Sequence, residues 1–203
     1  MIRCRFFLVA LLTYGLFSER AVGQTQLLPL QTGDILLQSI QCYVCSLIEI
    51  EENSKYSHSG VVLEESGELY VLEAWGKVAK NPLSEFLGKR TKDTRTRIIR
   101  PRISIDSFAL KAAFEKDFAG KEFDPGFFWE EVGGPTEKLY CSELIAKLLN
   151  PFMPVPILPK AMHFNQFRET WIQYFKGPPP DGKPGLSPED FNQSPLFIHI
   201  GEL

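Results

Sequence analysis

Residues 58–75 read HSGVVLEESGELYVLEAW, and the reading of this run decides the fold. Two β-favouring stretches, His58 to Leu63 and Glu68 to Trp75, flank Glu64, Glu65, Ser66 and Gly67, a polar cluster with a glycine that signals a hairpin turn. Taking those four residues as the loop sets Leu63 opposite Glu68 and Val62 opposite Leu69. Continued outward, the same register sets His58 opposite Glu73. Facing residues of an antiparallel pair have Cβ atoms roughly 4.5 to 5.5 Å apart, within reach of a carboxylate–imidazole contact. A slip of one residue would put the two side chains on opposite faces. Glu73, between Leu72 and Ala74, is unexpected in so apolar a strand; a solvent-facing glutamate is the ordinary alternative.

Outward from the hairpin, Thr32, Gly33 and Asp34 form a turn signal ahead of the short apolar strand Ile35 to Leu37. From Ser39 to about Glu52, Ile40, Tyr43, Val44, Leu47 and Ile48 recur at steps of three and four, the period of an amphipathic helix. Pro82 to Leu87 predicts a short helical turn, and Arg95 to Arg100 a strand ended by Pro101. Asp106 is placed to cap a helix whose buried face is Leu110, Phe114 and Phe118, with Gly120 to stop it. A further helix is predicted from about Tyr140 to Leu149, broken by Asn150 and Pro151. Gly177 to Ser187 is rich in proline and glycine, but it leaves too little chain for a separate domain, so the tail from Pro188 is expected to pack back. The expectation is a single α+β domain over residues 24–203: a small antiparallel sheet or half-barrel packed with helices.

The first residues bear on compartment. Arg3 and Arg5 precede an apolar stretch from Phe6 to Phe17, and Ala21 and Gly23 supply small residues, the zones of a secretory signal. We expect cleavage after Gly23, a secreted or periplasmic protein, and no stable membrane span thereafter. Cleavage would remove Arg3, Arg5, Arg20 and Glu19, taking the formal charge from −3 to −5. That balance gives no reason to expect a nucleic-acid partner, whose phosphates call for clustered Lys and Arg. The basic run from Lys89 to Arg102 is interleaved with Thr and Ile and reads as a strand with a solvated face.

Export leaves Cys42, Cys45 and Cys141, an odd count that cannot be fully paired within one chain. Cys42 and Cys45 could pair with each other, making Cys141 the natural free thiol. A structural disulfide, a reduced apolar pair and a redox motif are all open for the first two; without a second pair of ligands they make a poor zinc site. Cys141 stands at the start of a predicted helix, where unpaired backbone N–H groups and the helix dipole favour a thiolate. An inert cysteine on an apolar helical face is the commoner fate. His58 alone is more often structural, but a carboxylate facing it would fix its tautomer as a catalytic base requires.

In order along the chain, Gly33-Asp34-Ile35, Tyr56-Ser57-His58 with Gly60 and Val61, Gly120-Lys121 with Phe123 and Asp124, and Tyr140-Cys141-Ser142-Glu143-Leu144 resemble the permuted papain-like cysteine hydrolases of the NlpC superfamily, YiiX type. The histidine precedes the cysteine in that family, and its third polar residue is a glutamate on the neighbouring strand, matching Glu73. The resemblance covers about Thr32 to Asn150. It implies a papain-like core and amidase or peptidase chemistry: His58 takes the Cys141 proton, the thiolate forms a thioester and water releases the acid. The Cys141 backbone N–H would be the first donor to the carbonyl oxygen and Tyr56 a weak candidate for the second. No cofactor or metal is implied. The expected substrate is a small peptide, an acylated amino compound or a lipid. Competing readings are a lipid-directed thioesterase or acyltransferase on the same residues, with Phe127, Phe128 and Trp129 lining an apolar groove, a redox protein using Cys42 and Cys45, and a silent binding domain. His163 and His199 receive no role.

Overall fold

The computed structural model describes residues 29–129 and 137–203; the stretch read as an export signal lies outside the described residues. The elements follow in the order β1 (Ile35–Gln38), α1 (Cys45–Glu51), β2 (His58–Glu65), β3 (Glu68–Trp75), β4 (Lys77–Pro82), α2 (Leu83–Gly88), β5 (Arg97–Pro101), α3 (Ser107–Asp117), α4 (Cys141–Leu149), β6 (Lys160–Ala161), α5 (Arg168–Phe175), β7 (Pro184–Gly185), α6 (Pro188–Gln193) and β8 (Phe197–Glu202). Six strands form one antiparallel sheet in the order β4-β3-β2-β1-β5-β8. Central β1 is buried along its whole length, which is why Ile35, Leu36 and Leu37 run apolar without alternation, and its buried Gln38 is satisfied by the Phe86 carbonyl and the Thr96 hydroxyl. The fold is α+β, as the sequence predicts.

The β2–β3 register corrects the sequence reading. Glu65 pairs with Glu68 and Val61 with Leu72, so the loop is only Ser66 and Gly67. Both have positive φ, 54° and 82°, the backbone of a two-residue turn whose twist matches the strands it joins. Glu64 and Glu65, assigned above to the loop, belong to the strand. Continued by one pair, this register sets Glu73 beside Gly60 rather than beside His58. The offset from the expected register is two residues, an even number, so His58 and Glu73 still share one face.

That face is the one holding Val62 and Val71, packed with Leu36, Ile98 and Phe86 of α2. Val61, Leu63, Leu72 and Ala74 point the other way, into the main core with Leu110 and Phe114 of α3 and Leu144, Ile145 and Leu148 of α4. A third cluster, Val44, Leu47, Phe127, Tyr140, Phe164 and Trp171, binds α1 and α5 to the segment preceding α4.

Helix α1 begins at Cys45, later than predicted, because Cys42 and Cys45 are joined in a disulfide across the preceding turn. Asp106 caps α3 by accepting from the Ala109 N–H at 2.8 Å, and Gly120 follows its end with φ of 81°. The tail does pack back: Ser187 and Asp190 cap α6 reciprocally, and β8 pairs with β5. Asp34, fully buried, takes a bidentate contact from Arg100 at 2.6 and 2.8 Å and so ties the entry of β1 to β5. Among the described residues no helix is long and apolar enough to cross a membrane.

Candidate active site

His58 is the first residue of β2 and Cys141 the first of α4, and the fold brings the two together. The imidazole Nε2 lies 2.7 Å from Glu73 Oε2, which leaves Nδ1 for the Cys141 thiol, close enough for each group to shift the other's pKa. Glu73 is fully buried, and its other oxygen, Oε1, accepts from Asn81 Nδ2 at 2.8 Å and Lys89 Nζ at 2.7 Å. The carboxylate therefore cannot turn away from the ring. Phe86 stacks on the imidazole and Trp75 meets it edge-on, both with centroids 5.5 Å away. Gly60 permits this packing: a Cβ there would lie 2.4 Å from Val71 Cγ1 and 3.0 Å from Phe86 Cε2.

Electrostatics follow from these contacts. Burial alone would push the His58 pKa down, but its hydrogen bonds to Cys141 and Glu73 and their charges raise it from 6.5 to about 9. Burial would raise Glu73, yet the His58 contact, with Lys89 and Asn81 behind it, lowers it from 4.5 to about 2. Burial likewise works against the Cys141 thiolate, and His58 outweighs it, so the thiol pKa falls below its ordinary value. Tyr140, the residue before α4, is extended with no side-chain cap. The first N–H groups of the helix thus retain their donor capacity beside the sulfur. Such a set can hold a thiolate–imidazolium pair and offer N–H donors to an anion next to it.

Two clefts meet at the thiol. One is lined by Ile48, Met162, His163, Phe164, Trp171 and Leu186, with Glu51, Glu52, Lys160 and Asp190 at its polar side. The other is lined by Tyr43, Trp75, Phe123, Tyr174 and the Cys42–Cys45 pair. Ile48, Ser57, Phe127 and Tyr140 border both.

The sequence-predicted residues divide accordingly. Cys141, His58 and Glu73 converge. Phe127 lines the clefts, whereas Phe128 is exposed and Trp129 packs on the main core. Tyr56 is buried in the main core beneath the Arg97 guanidinium, a packing position. His163 borders one cleft, and His199 lies on exposed β8. Lys121 and Glu143 of the resembling motifs join a buried ion-pair network through Glu137 and Lys147 that anchors α4. Asp124 pins the loop after it by accepting from the N–H groups of Gly126 and Phe128. Sequence reasoning missed Asn81 and Lys89. Lys89 was assigned to a solvated basic run, and no local pattern marks it as the cation behind Glu73.

This convergence on a permuted topology, with the histidine ahead of the cysteine, defines the class. The chain belongs to the permuted papain-like amidase family, YaeF/YiiX, C92, whose profile matches residues 29–200. It is 29% identical over 119 residues to the uncharacterized protein YiiX of Escherichia coli strain K12; the match covers 58% of this chain and 56% of that relative. In solved structures, the fold resembles the metalloprotein YiiX of Escherichia coli O157:H7, with a TM-score of 0.73 and 22% identity over 85% of this chain and 97% of that one. Among the described residues here, no group of three or more His, Cys, Asp or Glu is placed to hold a metal ion. Cys141 and His58 are two donors, and Glu73 directs its oxygens to His58, Asn81 and Lys89. The donor set does not fit a metal, and no step below uses one.

Proposed function

We propose that this protein is an exported cysteine amidase that cleaves a peptide or N-acyl bond through a thioester on Cys141. The observation carrying this reading is the His58 ring, bonded to buried Glu73 through Nε2 and set close to the Cys141 thiol at the start of α4. His58 takes the thiol proton, and the thiolate attacks the substrate carbonyl carbon. The oxygen's growing negative charge is met by the Cys141 N–H. Collapse breaks the C–N bond as imidazolium returns the proton to the departing amine, leaving the acyl group on sulfur. His58 then deprotonates a water that attacks the thioester, and the acid leaves as the thiol re-forms. Glu73 orients the ring and favours its charged form throughout.

A second reading concerns the acyl group. Tyr43, Trp75, Phe123, Phe127 and Tyr174 give the cleft beside Cys141 an aromatic lining suited to an apolar chain. This favours a lipid-like acyl moiety, with thioesterase or acyltransferase chemistry as the variant outcome.

The test incubates the full chain with a panel of activated acyl and peptide substrates and looks for mass added to the Cys141-bearing peptide. An adduct of acyl mass is expected, together with loss of hydrolysis in Cys141→Ala. Hydrolysis persisting in Cys141→Ala would overturn the reading, and the acyl mass retained would identify the preferred chain.

A further inference from the structure

Ser59 follows His58 in β2 and pairs with Leu37 of β1. By strand alternation it points with Val61 and Leu63 to the face covered by α4, whereas His58 points with Gly60 and Val62 to the other. The side chain is fully buried, and its hydroxyl makes no geometrically complete hydrogen bond. Other buried serines are occupied: Ser57 accepts from the Ile40 N–H and donates to Glu49, Ser39 donates to Thr91, and Ser187 donates to Glu52. A buried hydroxyl without an acceptor is unfavourable and calls for an explanation.

We propose that the missing acceptor is the Cys141 sulfur in its anionic form, and that Ser59 is a hydrogen-bond donor built into the site to hold that thiolate. The inference rests on the nucleophile reading above. A neutral thiol is a weak acceptor, so the bond is incomplete while the sulfur carries its proton and closes when His58 removes it. Ser59 already lies close enough to Cys141 to help lower the thiol pKa, after the larger influence of His58. On another side Ser142 Oγ stands 3.9 Å from the sulfur. Successive residues of one strand thus have separate tasks: His58 receives the proton from one face, and Ser59 supports the charge left behind from the other.

The test is the pH dependence of Cys141 alkylation by iodoacetamide, read from the mass of the peptide carrying that residue. It needs no substrate and reports thiolate directly. The titratable and charged groups around the sulfur are His58 of β2, Glu73 of β3 behind it, Tyr140 and Glu143 at the start of α4, Asp124 near Tyr140, and Glu51, Glu52, Lys160, His163 and Asp190 along the adjoining cleft, all unchanged by a substitution at 59. In Ser59→Ala the alkylation midpoint should rise by about one pH unit, roughly a tenfold smaller thiolate fraction below it. Melting measured below the alkylation midpoint should be unchanged or higher, because there the hydroxyl removed has no anionic acceptor. Ser59→Thr, which keeps the hydroxyl, should return the midpoint to the wild-type value. An unshifted midpoint in Ser59→Ala, or equal shifts in both variants, would overturn the proposal. Hydrolysis lost in Cys141→Ala but kept with wild-type alkylation in Ser59→Ala would reject the role of Ser59 alone and leave the amidase reading standing.

Discussion

Glu73 has two jobs that a single neutral side chain cannot share. Oε2 faces the imidazole, while Oε1 accepts from Asn81 and Lys89. In Glu73→Gln, the amide oxygen serves the two donors on one side, so its NH2 group turns to His58 Nε2 and forces that nitrogen to act as acceptor. The proton then sits on Nδ1, facing a thiol it can no longer deprotonate. We expect turnover over substrate constant to fall between about 10- and 10⁴-fold, short of the complete loss in Cys141→Ala. The shape of the pH profile should change as well. The thiolate–imidazolium pair persists upward until His58 loses its proton at about 9, and removing the Glu73 charge brings that alkaline limb to lower pH. Melting follows the same groups. A histidine raised from 6.5 to about 9 contributes stability that is complete below 6.5 and lost as pH climbs through about 9. A glutamate lowered from 4.5 to about 2 contributes stability that is complete above 4.5 and lost as pH falls through about 2. Their joint contribution is greatest between 4.5 and 6.5, and the alkaline loss should begin earlier in Glu73→Gln. Profiles of activity and melting that coincide with wild type would remove Glu73 from the site.

At the scale of elements, what the sequence reveals depends on how local each signal is. Helix α3 is legible because Asp106 caps it, Leu110 and Phe114 recur at helical spacing and Gly120 follows its end. Replacing Asp106 with Ala leaves the Ala109 N–H without its acceptor and should cost about 1 kcal/mol in denaturant unfolding, with activity per folded molecule unchanged. A loss well above about 2 kcal/mol would mean that Asp106 does more than cap. Strand β4 escapes the same reading. It is an edge strand with Lys77, Lys80 and Asn81 among its residues, and only Val78 is buried, so no alternation announces it. Yet Asn81 is one of the groups holding Glu73. The hairpin shows the intermediate case: composition locates both strands, but the turn type depends on backbone angles at Ser66 and Gly67 that composition does not specify. His58 and Glu73 were placed on one face by an even error in register, whereas Lys89 reaches Glu73 only through the tertiary position of α2.

For the molecule as a whole, the walls of the site come from stretches far apart in the chain. His58 and Glu73 lie on the central sheet, and Phe164, Trp171 and Leu186, all beyond Cys141, wall one of the clefts. The Cys42–Cys45 disulfide borders the other cleft. It closes a very short loop, so Cys42→Ser with Cys45→Ser should lower stability by about 2 kcal/mol at most. Turnover of the folded fraction should persist. Turnover lost from a well-folded double variant would assign the pair to the chemistry and favour the redox alternative. The two-residue turn between β2 and β3 also sets what descendants of this fold can change. Additions at Ser66 and Gly67 lengthen a loop without moving Glu73, whereas a slip of two residues within the strands keeps the carboxylate on the imidazole's side but displaces it roughly 7 Å along the strand from the position that makes the contact. A slip of one sends the carboxylate to the α4 side and strands the histidine. Loop length is therefore the free variable of this hairpin, while the register of β2 against β3 is fixed by the contact it must deliver.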